Sequence, residues 1–122
     1  MGRMSVSTQC EFREAESSPD DNRFVFAYTI TIANGGEAPA QLLNRHWWIS
    51  DGSGEVREVR GSGVVGQQPR IEPGNSFQYT SGAVLDTPVG AMHGYYEFIN
   101  DEGRHFEVPI AAFTLAVPNM RH

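Results

Sequence analysis

The stretch Gly61-Ser62-Gly63-Val64-Val65-Gly66 has the G-x-G-x-x-G spacing of a dinucleotide-binding loop. In that chemistry the glycines let the backbone approach a pyrophosphate. A helix opening directly afterwards supplies free N–H groups and a positive dipole end. Here Gln67-Gln68-Pro69 follows, then Arg70-Ile71-Glu72 and the turn pair Pro73-Gly74. A proline and a Pro-Gly turn so soon after the last glycine leave no place for an amphipathic helix. The favoured reading is a mobile glycine loop joining two strands. Gly61, Gly63 and Gly66 are kept as the one weak candidate ligand-binding set, with a nucleotide or phosphoester as the alternative ligand.

The other reactive side chains are dispersed. Of the four histidines, His46, His93, His105 and His122, no pair has the i, i+4 helical spacing of a zinc site, and no Cys-x-x-Cys occurs. His93 and Glu97 share a strand face but stand ~13 Å apart along it, too far to share one ion. Asp51, Asp86, Asp101 and Glu102 fall in or near turns and read as solvated. Magnesium could use such oxygens across strands, but weakly, because it dehydrates reluctantly. Cys10 lies on the inward parity of its strand and reads as a small core residue. No nucleophile elbow or orienting triad is visible. No catalytic residue, metal site, cofactor or enzymatic activity is expected.

The elements that must hold these residues have period two. Phe24, Phe26, Tyr28, Ile30 and Ile32 alternate with Val25, Ala27, Thr29, Thr31 and Ala33, the pattern of a half-buried strand. Val6, Thr8, Cys10 and Phe12 mark an earlier strand. Gln41 to Ser50 marks a third, with Leu43, Trp47 and Ile49 on one parity. Asp51-Gly52-Ser53-Gly54 reads as a hairpin turn into a short charged edge strand, Glu55 to Arg60. Phe77 and Tyr79 mark the next strand, Tyr96 and Phe98 another. Asn100-Asp101-Glu102-Gly103 then turns into Phe106, Val108 and Ile110, and the tail from Phe113 to His122 is apolar at first and then loose. About seven short strands with frequent turns predict an all-β, antiparallel sandwich, fibronectin type III or immunoglobulin-like, with Trp47 as its central tryptophan. A barrel of similar strand count is the alternative.

With 122 residues the chain is one domain, residues 1–122, large enough for a core without metal or disulfide. Fifteen acids against nine scattered bases give a formal charge of −6. That balance opposes nucleic acid, which demands a positive patch, and anionic membrane surfaces for the same reason. The single cysteine excludes an internal disulfide and fits a reducing compartment. No apolar run approaches the ~20 residues of a spanning helix, and no signal peptide is visible, so a cytoplasmic location is expected.

A family resemblance is carried by Phe26-Ala27-Tyr28-Thr29, Gln41-Leu42-Leu43, Arg45-His46-Trp47, Gly63-Val64-Val65-Gly66 and Gln68-Pro69. It continues through Pro73-Gly74, Tyr79-Thr80-Ser81-Gly82, Thr87-Pro88, Gly94-Tyr95-Tyr96-Glu97 and Leu115-Ala116-Val117-Pro118. In this order the segments resemble the bacterial ApaG proteins over nearly the whole length. The resemblance implies a fibronectin type III-like sandwich, a link to cobalt and magnesium resistance or efflux, and a binding role inferred for related eukaryotic domains. It brings no catalytic residues. In this chain Ala111 stands where members often have proline, and Pro109 comes two residues earlier, which predicts altered pairing in the last strand. The function expected is a non-enzymatic module recognising an unidentified protein through loops or an edge strand. A nucleotide binder and a direct divalent-cation binder are the alternatives, and the sequence leaves the oligomeric state open.

Overall fold

The computed structural model describes residues 3–118. Eight strands occupy most of them: β1 (Met4–Phe12), β2 (Phe24–Asn34), β3 (Ala40–Asp51), β4 (Val56–Ser62), β5 (Arg70–Ile71), β6 (Ser76–Leu85), β7 (Val89–Asn100) and β8 (His105–Ala116). They form two antiparallel sheets, ordered β1-β2-β6 and β4-β3-β7-β8, with the two-residue β5 also pairing β3. The architecture is the expected β-sandwich, with β5 as the addition to about seven strands. Among the described residues no helix is long and apolar enough to cross a membrane.

Alternation builds the core. Phe24, Phe26, Tyr28, Ile30 and Ile32 of β2 are all buried and face Trp47, Tyr96 and Phe98 from the other sheet. Trp47 meets Tyr28, Tyr96 and Phe113 through edge-on or tilted rings. Directly across from Trp47 lies Gly94. A Cβ there would come 2.0 Å from the His46 carbonyl oxygen, so the close approach of β3 and β7 requires glycine.

Four features depart from the sequence pattern. The register of β3 against β7 shifts between Leu42 and Asn44, a bulge at Leu43. Leu42, not Leu43, is therefore buried before the bulge, and Trp47 and Ile49 after it. β8 runs on to Ala116, so Phe113 and Leu115 belong to the sandwich; residues 119–122 of the expected loose tail lie outside the described residues. Its pairing with β7 also shifts between Met92 and Gly94, while Pro109 sits opposite Tyr95. Finally, Cys10 is exposed: β1 is an edge strand, so its inward parity meets the rim of the sandwich, where the thiol donates to the Thr114 carbonyl at 3.1 Å.

Two tyrosines make a polar contact inside the core. The hydroxyls of Tyr79 and Tyr96 lie 2.5 Å apart, buried, and burial pushes both phenols well above their ordinary pKa. Nearby, Arg45 projects on the same strand face as Trp47. Its Nη1 donates to the carbonyls of Ser62 and Gly63 at 3.0 and 2.9 Å.

Candidate functional site

The glycine segment is a tied-down turn rather than the mobile loop expected. Val64 and Gln67 exchange both backbone hydrogen bonds, 2.8 and 2.9 Å, around Val65 (φ +42°) and Gly66 (φ +79°). Two positive φ angles at the turn centre are the geometry that tight hairpins use. Val64 is buried, and Gly63 N–H donates to Leu43 C=O at the β3 bulge. The Gln68 side chain donates to the same carbonyl at 3.0 Å. Gly63 (φ +64°) is needed because a Cβ would fall 2.3 Å from the Gln67 carbonyl oxygen. At Gly61 a Cβ would fall 2.7 Å from the Arg45 guanidinium, so a side chain there would displace Arg45. The N–H groups of Gly63, Val64 and Gln67 are thus already bonded, and strand β5 follows in place of a helix. The glycines position backbone and Arg45; they do not aim free donors at a shared point.

Chemistry that sequence spacing did not reveal assembles on the outer face of the larger sheet. His46 is buried there although it points away from the core. Its Nε2 meets Glu58 Oε2 at 2.5 Å and its Nδ1 meets Tyr95 Oη at 2.9 Å. Arg60 holds Glu58 from the other side through Nε and Nη2. The bonds from Arg60, then from His46, hold the Glu58 carboxyl below its usual pKa. The Glu58 carboxylate can only accept, so the Nε2–H of His46 donates to it. The rings of His46, Trp48 and His93 stack in sequence, with centroids 4.1 and 5.3 Å apart. Beside them Glu97 accepts from Asn44 at 2.6 Å and from His105 at 2.8 Å, and these two, in that order, lower its pKa. Asn44, His46, Tyr95, Glu97, Arg60 and Ser62 border an open hollow of about 460 Å³.

The flank where β4 and β6 form the sheet edges is the third region. The exposed large aliphatic side chains, Val56, Val65 and Val84, belong to β4, to the turn that follows it and to β6. A groove of about 360 Å³ separates the two edges, lined by Ile49, Val56, Val84 and Leu85 with Asp51, Glu55, Asp86 and Arg57. Arg57 crosses it, its Nη2 donating to the Val84 carbonyl at 2.8 Å.

Two of the four candidate carboxylate ligands, Asp51 and Asp101, prove to be engaged elsewhere. Asp51 Oδ1 accepts from the Ser53 side chain and from backbone of its own turn, which lowers its pKa. Asp101 is held by both terminal nitrogens of Arg70. His122 lies outside the described residues. His93 and Glu97 are not joined; His93 stacks on Trp48, and Glu97 pairs with His105. Among the described residues no three or more His, Cys, Asp or Glu side chains gather in a way that could hold a metal ion.

The model of the ApaG domain matches residues 14–100. Protein ApaG of Cronobacter sakazakii is 53% identical over 120 residues, covering 98% of this chain and 96% of that protein. Protein ApaG of Salmonella arizonae is 55% identical over the same shares of each chain. The crystal structure of a Bordetella pertussis protein described as ApaA is 49% identical and superposes with a TM-score of 0.94, covering 98% of this chain and 97% of that one. The match is thus to a small single-sheet-pair domain, end to end. The chain belongs to the ApaG family.

Proposed function

We propose that this ApaG-family sandwich is a non-enzymatic, cytoplasmic recognition module of fibronectin type III-like build, and that it binds a protein partner along the β4–β6 flank. One observation carries the reading: two of the exposed large aliphatic side chains, Val56 and Val84, sit on β4 and β6, the unpaired edges that meet on one flank. Open backbone groups beside exposed apolar side chains are what strand addition uses. Val65 strengthens the point. A β-branched residue at φ +42° is locally disfavoured, and glycine or asparagine would fit that turn better. A strained, half-exposed valine at the tip is accounted for by contact with a partner. The cobalt and magnesium link that the family carries then acts through that partner.

Site-directed photo-crosslinking in cells tests the flank. Cross-linkers at Val56 and Val84 are expected to give the same discrete adduct, and one at the exposed Ser7 of β1 none. Val65→Asn should weaken the adduct while raising thermal stability. Adducts distributed evenly over all three positions would remove the reading.

A further inference from the structure

The groove between the β4 and β6 edges selects a partner more narrowly than an open edge alone, and this step rests on the recognition reading above. Three carboxylates, Asp51, Glu55 and Asp86, line it against one guanidinium, that of Arg57. The inward-facing Ile49 and Leu85 form its floor, and the edge residues Val56 and Val84 border it. Arg57 shows what such a setting accommodates. It stands on the same face of β4 as Val59, opposite Ile49, and its guanidinium reaches across the groove to a carbonyl of the facing edge. The groove is thus already occupied by one basic side chain of its own sheet.

We propose that the flank takes an extended segment of a partner protein in which aliphatic residues alternate with arginine or lysine, added as a strand beside β4 with its basic side chains in the β4–β6 groove. Strand geometry imposes the alternation. Every second side chain of an added strand points the same way, so one set enters the groove and the other lies beside Val56 and Glu58 on the outer face. The carboxylate excess favours cations in the groove, and the chain's net charge of −6 disfavours an acidic segment at encounter as well as in the complex. Arg57 competes for the same place, because its guanidinium already holds the Val84 carbonyl that an incoming guanidinium would seek.

That competition supplies the test. The probe is a short acetylated peptide of alternating valine and arginine, titrated into the labelled full chain and followed by NMR. A matched peptide with glutamate in place of arginine is the control. Saturable shifts are expected over Val56–Ser62 and around Val84–Asp86 with the arginine peptide only. Arg57→Ala should tighten its binding about tenfold, since it removes both a like charge and a competitor. Asp86→Asn should weaken it. Equal binding of the two peptides would overturn the charge assignment and leave edge recognition standing. Weaker binding by Arg57→Ala would overturn the competition on which the proposal stands. An arginine peptide that shifts nothing overturns the proposal outright. Flank-specific adducts at Val56 and Val84 would then still support recognition by the edge, so the two failures are told apart.

Discussion

Trp47 is 2% exposed between the sheets, edge-on to Tyr96 and Phe113, while its neighbour Trp48 stands on the outer face, stacked between His46 and His93. Consecutive residues of β3 therefore hold the two halves of the molecule's aromatic chemistry. Inward, the ring is fixed by shape: its Nε1 has no hydrogen-bond partner, and only packing sets its orientation. Outward, rings are fixed by hydrogen bonds and stacking, from Glu58 through His46 to Tyr95. The difference teaches that strand alternation determines which side chains meet water. Strand register then determines which of the outward ones meet each other.

The sharpest way to break this contrast is Trp47→Ala. Emptying a fully packed aromatic site costs about 3–5 kcal/mol. Chemical denaturation should show a loss of that size, read from the shifted midpoint of the cooperative transition. An unchanged midpoint would mean that Trp47 is not the centre of the core.

Tyr96→Phe is expected to cost less, about 1–2 kcal/mol, because it leaves the buried Tyr79 hydroxyl without its partner. The double substitution Tyr79→Phe with Tyr96→Phe should recover part of that loss, since no polar group then remains stranded. Losses that simply add in the double variant would show that the two hydroxyls are not coupled in the core.

On the outer face, Trp48→Ala should cost only about 1 kcal/mol, the scale of aromatic pairing on a half-exposed surface. Its clearer signature should be a change in the ring environment of both His46 and His93, seen in their imidazole resonances. A loss as large as that of Trp47→Ala would erase the distinction between the two faces.

Legibility followed the same division. The buried set Phe24, Phe26, Tyr28, Ile30, Trp47, Tyr96 and Phe98 follows from parity alone, because alternation is a local property of each strand. The His46–Glu58–Tyr95 group is not local. It requires Trp48 to lie opposite Glu58 and His46 opposite both Arg60 and Tyr95. That register depends on the Asp51–Glu55 turn and on the bulge at Leu43. The hairpin signal Asp51-Gly52 was readable; the residue count across the bulge was not. Counting back from that turn would have placed Glu58 near His46, the one signal available in advance. Cys10 failed for a related reason, since parity names a face but not whether the strand sits at the rim. The glycine loop misled in both directions: its spacing suggested phosphate chemistry, its composition suggested mobility, and its backbone bonds to Leu43 support neither geometry.

The smallest expected effect concerns acid. Glu58, Glu97, Asp51 and Asp101 are held below their usual pKa, chiefly by hydrogen bonds from Arg60, Asn44, Ser53 and Arg70 respectively. A carboxyl depressed in the folded state binds fewer protons there than in the unfolded chain. Its contribution to stability is therefore complete above the ordinary carboxylate pKa of about 4, and is lost as pH falls through the lower folded value. Stability should accordingly decline only below about pH 4 from this source, and the slope counts the groups involved. Glu58→Gln deletes one of them from the outer face while leaving Trp47 and the core untouched. Its stability curve should run parallel to the parent above that pH and fall less steeply beneath it, with the difference shrinking in high salt because these side chains are solvent-exposed. Identical acid slopes for parent and variant would mean that Glu58 gains nothing from Arg60 and His46 in solution. The outer face would then rest on ring stacking and on the bonds of Tyr95 and Glu97, and the Glu58 link in the contrast between Trp47 and Trp48 would fall.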